Sequence, residues 1–415
     1  MLSVLRLSGY RRLFTAQVLA LVGTGLLTVA LGLLAYDIAG RDAGAVLGTA
    51  LAIKMLAYVF VSPVMAALVH RWQPRTVMIG ADIIRAAAAL SLPWVSETWQ
   101  IYVLVFVLQS ASATFTPTFQ SVIPSIVTAE RDYTRALSLS RLAYDLESIV
   151  SPMLAAALLT VISYTSLFLG TAAGFVCSAT LVTLTAIPKR VTTVSAPFLE
   201  RLSGGVRVFF RNRSLRFVLF INGAVSAGTA LVVVNSVVFA RDQFGLGDTS
   251  LSFALAAYGA GSLLMAFLVP RVVDRYGPPP VMITGSAVAT VGLLGALAMG
   301  LFTLGTSPGW VLLLVMWFVI GAGTSLMTTP SSQLLLRASS EQNRNQVYTA
   351  QFALSHACFL ITYPLAGWLG AVDLNLATAV LTVVAVGSAL GALGQRRASA
   401  TRSTERSRTG AEPAR

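Results

Sequence analysis

Apolar runs of about twenty residues follow one another along the whole chain, separated by short polar breaks. A helix needs roughly 20 residues to cross the hydrocarbon of a bilayer, so this rhythm predicts membrane-spanning helices. The first run, Leu13 to Ile38, is too long for a signal-peptide core and lacks a clear small-residue cleavage site, which makes it a retained first span. Further spans are expected near 44–68, 76–95, 100–122, 137–160, 165–187, 216–240, 250–270, 281–303, 310–331, 346–370 and 375–394. The fold class is thus an all-α polytopic membrane protein with twelve spans. It divides into a six-helix bundle over 1–187, a linker over 188–215, a second six-helix bundle over 216–395 and a disordered basic tail over 396–415. Inside the linker, Phe198 to Phe210 has the pattern of a short amphipathic helix lying on the membrane with Arg against headgroups.

The halves carry one repeated stretch. Thr116-Pro117 and Gln120 recur as Thr329-Pro330 and Gln333, an offset of 213, and Pro152 recurs as Pro364 at 212. In both copies an apolar helix ends, a short charged loop follows, and a new apolar helix runs into a proline. Such an internal repeat predicts two pseudo-symmetric bundles.

Composition agrees with the pattern. Charged residues make up 11% and hydrophobic residues 56%, with a mean hydropathy of +0.77, whereas a soluble domain carries about a quarter charged residues. The net charge of +13 raises the question of nucleic acid. Its distribution answers it: 25 of the 29 Lys and Arg fall in the expected terminus-side segments, while only Arg41 and Arg241 fall on the opposite face. That bias orients a polytopic membrane protein with both termini in the cytoplasm, and no nucleic-acid partner is needed. Cys177 and Cys358 lie in separate spans, so no disulfide framework is indicated. No phosphate loop, nucleophile elbow or zinc-protease motif occurs, so neither an enzyme, a cofactor nor a nucleotide-driven pump is expected.

Twelve spans, a six-plus-six repeat and a basic central linker resemble the major facilitator superfamily. The segment Asp274-Arg275-Tyr276-Gly277 is similar to that family's D-R-x-G signature, and the matching first-half loop keeps Arg71 but has His70 where the family has Asp. Asp82 and Arg85 fit the family's charged residues behind this loop. The resemblance implies gating roles for His70, Arg71, Asp82, Arg85, Asp274, Arg275 and Gly277, with His70 read either as a pH-sensitive latch or as an ordinary interfacial histidine. Locally, the runs from Tyr133 to Glu147 and from Ala350 to Cys358 are similar to bacterial nickel and cobalt resistance exporters, a group that also includes siderophore and macrolide exporters. The tail has no histidine, although some nickel exporters have a histidine-rich one. The implied function is proton-coupled export, an antiport, of a small toxic solute by a monomer. Nickel or cobalt is the first substrate expected, an organic drug, macrolide or siderophore the second, and a non-transporting sensor or scaffold a further alternative. The family's central cavity would draw on Gln17, Gln109, Asn222 and Asn235.

Intramembrane charge is the sharper clue, because a charge in hydrocarbon costs at least ~2.5 kcal/mol. Asp145 lies four residues after Arg141 and can pair with it near the cytoplasmic gate. Glu147 points to another face, roughly 15 Å into its helix, and Lys54 lies at similar depth in the second span. The two are expected to form a proton-dependent pair. At an offset of 212 His356 corresponds to Tyr144, which shares a helical face with Glu147, so His356 is expected to face the cavity with it. Carboxylate and imidazole suit Ni²⁺ or Co²⁺, which makes Glu147 and His356 candidate metal ligands. A charged Lys54 beside them would repel a divalent cation.

Overall fold

A computed structural model describes the chain except residues 1, 62–63, 66–71, 128–131, 133–135, 137–138, 141–142, 144–146, 148–149, 152, 156, 188–197, 302–305, 341–343 and 410–415. The first half contains α1 (Ser8–Ala39), α2 (Ala43–Leu56, continued by a π-helical turn Ala57–Val61), α3 (Pro74–Ser91), α4 (Thr98–Ile126), α5 (helical residues within 132–159) and α6 (Tyr164–Thr183). The linker forms α7 (Phe198–Arg211). The second half contains α8 (Arg213–Val238, continued by a π-helical turn Phe239–Gln243), α9 (Asp248–Tyr276), α10 (Pro278–Leu301), α11 (Thr306–Thr328), a short α12 (Ser331–Ala338), α13 (Arg344–Val372) and α14 (Leu374–Thr409). No strand occurs among the described residues.

Ten described stretches are long and apolar enough to cross a bilayer, and the first, Ser8–Val61, holds both α1 and α2. Only helices satisfy every backbone group within one segment, and lipid offers no substitute. The outer surface is correspondingly apolar: Phe60, Phe267, Val291, Val311 and Val383 are each more than half exposed. On a soluble protein so extensive a display would be anomalous; here it meets lipid chains.

The halves repeat one packing scheme. In the first, α1 packs on α6, α2 on α4, α3 on α4 and α6; in the second, α8 packs on α14, α9 on α11, α10 on α11 and α14. Among the described residues their junction is formed chiefly by α2 against α13. Small residues permit that crossing, since a Cβ on Gly48 would stand 2.5 Å from the Tyr363 carbonyl oxygen and 3.0 Å from Gly367 Cα. The helix ends follow local rules. Glu97 and Gln100 form a capping box on α4, Asn212 caps α8 by accepting from the Ser214 N–H at 2.9 Å, and α9 stops at Gly277 (φ 78) before three prolines.

Two expectations change. The tail expected to be disordered from 396 continues as helix to Thr409; it contains no Pro or Gly before Gly410, and its Ala and Arg residues are compatible with a helix. Asp82 and Arg85, implied as gate residues, instead brace the first half internally. Both are buried in α3 and ion-paired to each other, and the Arg85 guanidinium lies 4.4 Å from the Phe115 ring centroid on α4 and 4.5 Å from that of Phe175 on α6. Cation–π contact with both rings partly replaces the water such a cation has lost.

Arg85→Ala should therefore strand the Asp82 carboxylate and destabilise the protein by about 3–5 kcal/mol. Asp82→Ala/Arg85→Ala should recover much of that loss. Thermal unfolding of purified protein in detergent reads both, and a double variant no more stable than the single one would refute the pairing as the cause.

Candidate functional site

The site grows from a close approach between α1 and α5. A Cβ on Gly25 would lie 2.0 Å from Ser151 Cβ and 3.2 Å from Glu147 Oε1. Any larger residue at 25 would displace α5, so glycine here sets Glu147 against α1, inside the first half. Lys54 comes from α2, and its ammonium interacts electrostatically with the Glu147 carboxylate without closing a salt bridge among the described residues. Both side chains are only half-buried. The expected pair is thus brought together from α2 and α5, with α1 as its wall.

Immediately after Lys54, α2 changes from α-helix to the π-helical turn Ala57–Val61. Such one-turn insertions recur at functional sites because they re-aim a side chain. Here the turn carries Tyr58, whose ring stacks on His356 of α13 with centroids 5.6 Å apart and tilts against Phe352 at 6.2 Å. The His356 Nδ1 lies 2.7 Å from the Phe352 carbonyl oxygen, one turn back. His356 therefore faces α2 across the junction of the halves. Glu147 and His356 approach α2 one turn apart, at Lys54 and Tyr58. Among the described residues no group of three or more His, Cys, Asp or Glu gathers as a metal cage.

The other candidates divide. Gln17 is buried and taken up in joining α1 to α5: its Oε1 accepts from Ser140 Oγ at 2.7 Å and its Nε2 donates to Ser140 O at 3.4 Å. Asn235 is fully buried, its Nδ2 donating to Ala366 O at 3.1 Å, and its Oδ1 is wedged near Gly44 and Gly370. Gln17 spends both ends of its amide on α5, whereas Asn235 spends only its Nδ2 on α13 and its Oδ1 is left without a hydrogen-bond partner among the described residues. Gln109 Oε1 and Asn222 Nδ2 are buried without hydrogen-bond partners among the described residues. Asp274 and Arg275 are exposed at the end of α9, where Gly277 supplies the left-handed turn that the signature glycine requires. His70, Arg71, Arg141 and Asp145 lie outside the described residues.

The two ends of the bundle differ. From 351 to 360, at the terminus-bearing end, every residue of α13 is at least partly exposed around the whole helix; beyond it Thr362, Tyr363, Ala366, Gly367 and Gly370 are buried on one face. The opposite end is tied across the halves. Arg41 pairs with Asp242 at 3.0 Å, Arg241 approaches Asp37 to 4.0 Å while ion-paired to Asp248, and Trp368 Nε1 donates to Thr49 Oγ1 at 3.0 Å. Tyr164 on α6 also donates to Asp37. Sequence reasoning missed this latch, although one signal was legible: Asp37 and Asp242 each stand three residues before a left-handed glycine, Gly40 and Gly245. Arg41 is 83% exposed, so its pair contributes little to stability; the Arg241 side chain, 23% exposed among several partners, is the firmer anchor. A separate groove of about 260 Å³ between α3 and α6, lined by Asp82, Ile83, Val176 and Leu184, opens on the apolar exterior, and none of Lys54, Glu147 and His356 lines it.

Comparison with known proteins matches this architecture. Macrolide efflux protein A of Streptococcus pyogenes is 25% identical over 267 residues, covering 62% of this chain and 65% of that protein; that of Enterococcus faecalis is 26% identical over 238 residues, covering 54% and 73%. The chain thus spans just under two thirds of the length of the Streptococcus relative. The nucleoside transporter NupG superposes with a TM-score of 0.72 at 16% identity, over 93% of this chain and 99% of that one. A bacterial homologue of the human lysosomal transporter Spinster, in an inward-facing, unoccupied conformation, gives 0.69 at 12% identity, over 94% and 96%. The Major Facilitator Superfamily profile matches residues 13–247 and 217–414, and the chain belongs to that family.

Proposed function

We propose that this chain exports an organic solute from the bacterial cytoplasm in exchange for protons, by alternating access. The observation that carries the reading is that Lys54 and Glu147 lie within electrostatic reach of each other inside the first half, beside a π-helical turn at the junction of the halves. A carboxylate at that depth costs several kcal/mol unless it is paired or protonated. It therefore has two stable arrangements, an anion facing the Lys54 ammonium and a neutral acid that releases it. Exchange of one proton for one solute at such a group couples the two fluxes, and a proton crossing the membrane potential supplies about 2.3 kcal/mol per 100 mV.

Macrolide efflux relatives support an organic cargo. The expectation of nickel or cobalt gains no support from the relatives, and the chemistry disfavours it: one carboxylate offset by one ammonium has no net charge to offer a dication. Macrolides are the first class to test. The strong Lys and Arg bias supports termini in the cytoplasm, so the end tied by Arg41, Asp242, Arg241 and Asp37 would face outward, and the conformation described would be open to the cytoplasm.

In proteoliposomes, Glu147→Gln should abolish uphill erythromycin transport driven by a pH gradient while leaving downhill exchange of erythromycin intact. Retention of uphill transport by this variant would exclude Glu147 as the coupling group. Asp37→Asn/Asp242→Asn should remove about 1 kcal/mol from the closed outer end, a roughly fivefold shift toward the outward-open state. Labelling rates of single cysteines placed near Thr49 measure it; unchanged rates would show that the latch does not hold that end. In an exporter-deficient bacterium, expression should raise tolerance to erythromycin and leave nickel tolerance unaltered, and the reverse outcome would restore the metal reading.

A further inference from the structure

Because the chain is duplicated, the positions that carry charge in one half can be followed into the other. At an offset of 204, Gly25 and Lys54 correspond to Thr229 on α8 and Tyr258 on α9; at 212, Glu147 and Ser151 correspond to Phe359 and Tyr363 on α13. Those second-half residues also come together. The Tyr258 hydroxyl lies 3.1 Å from Thr229 Oγ1, the Phe359 and Tyr363 ring centroids are 5.2 Å apart, and Tyr363 lies within electrostatic reach of Tyr258. Thr324 of α11 adds a fifth member. Its Oγ1 approaches the Tyr258 hydroxyl, but among the described residues it has no partner in hydrogen-bond geometry and it is buried. α11 can come so close because Gly321 lies against the Tyr258 carbonyl, where a Cβ would stand 1.9 Å from the oxygen.

Duplication has thus produced two clusters of opposite character at equivalent places. The first half holds an ammonium and a carboxylate; the second holds four hydroxyls and three aromatic rings with no formal charge. Thr229, Tyr258 and Phe359 are partly exposed, whereas Thr324 and Tyr363 form the buried floor. A buried hydroxyl left without a partner costs free energy, which a solute acceptor would relieve.

We propose that Thr229, Tyr258, Thr324, Phe359 and Tyr363 form the substrate subsite, which takes the uncharged face of an amphipathic organic molecule rich in carbonyl and hydroxyl oxygens. Tyr258 and Thr324 donate to the oxygens of the solute, and Phe359 covers its apolar side. The cluster offers a metal dication no anionic ligand. This assignment rests on the export reading above and deepens it, by separating a neutral recognition half from a charged coupling half.

The test is equilibrium binding of radiolabelled erythromycin and of tetraphenylphosphonium, a cation without oxygen acceptors, to purified full-length protein in detergent, alongside gradient-driven transport in proteoliposomes. Tyr258→Phe keeps the ring and removes one donor; Thr324→Val keeps the shape and removes the other. Each should weaken erythromycin binding roughly five- to tenfold, the worth of one buried hydrogen bond, leaving tetraphenylphosphonium binding and the melting temperature unchanged. Erythromycin affinities within twofold of wild type in both variants overturn the subsite, as does equal weakening for both probes, or wild-type protein that binds no erythromycin. Protein that binds erythromycin with the predicted variant pattern but moves none under a proton gradient overturns export and upholds the subsite.

Discussion

Lipid supplies no hydrogen bonds, and that constraint organises both the backbone and the few charges this chain admits. Each intramembrane charge must find its partner within the protein. Arg85 does so with Asp82 and the rings of Phe115 and Phe175, a buried ion pair in which Asp82 Oδ2 and Arg85 Nε have no hydrogen-bond partner among the described residues. Lys54 and Glu147 differ. They interact without closing a salt bridge among the described residues, are half-exposed, and come from helices whose spacing is set by Gly25. An enclosed pair stabilises one conformation; a loosely satisfied pair can favour either of two.

Duplication explains why the two halves pack alike and still differ in chemistry. The helix neighbours match pair for pair, from α1 on α6 against α8 on α14 to α3 on α4 against α10 on α11. Packing is conserved between the halves because small residues must sit wherever backbones touch. Side chains facing the interior carry no such burden, so Lys54 can stand where the other half has Tyr258.

Much of this was legible in the sequence, and the boundary is physical. Apolar length located the spans because bilayer thickness is a fixed ruler, and the pairing of Lys54 with Glu147 followed from depth and helical face. The repeat set His356 on the helical face equivalent to that of Glu147, and in the structure it packs on α2. Its stacking on Tyr58 was not foreseeable, because it depends on the π-helical turn at Ala57–Val61, which leaves no periodic signal. Gln17 and Asn235 read as cavity polars since a polar residue in an apolar helix looks the same whether it binds a solute or a neighbouring helix. Only the contacts to Ser140 and Ala366 separate the two. The tie between Arg41 and Asp242 joins residues 201 apart, and no local pattern records a contact of that kind.

One helix meets every part of this arrangement. The outer portion of α2 crosses α13 through Gly44 and Gly48 against Gly367 and bonds Trp368 through Thr49; its middle presents Lys54 to Glu147; its π-helical continuation stacks Tyr58 on His356. A change in charge at Lys54 or Glu147 therefore acts on the same rigid rod that closes the outer end. Crossings between close-packed small residues slide with little change in contact area, whereas the Arg41 and Arg241 ties are specific and are lost once the ends separate. On the proposed reading, neutralising Glu147 frees Lys54, α2 re-aims about its π-helical turn, and the weak exposed ties of the outer end are all that must break. Weakness there suits the function: a latch worth much more than the energy of one proton could not be opened by one.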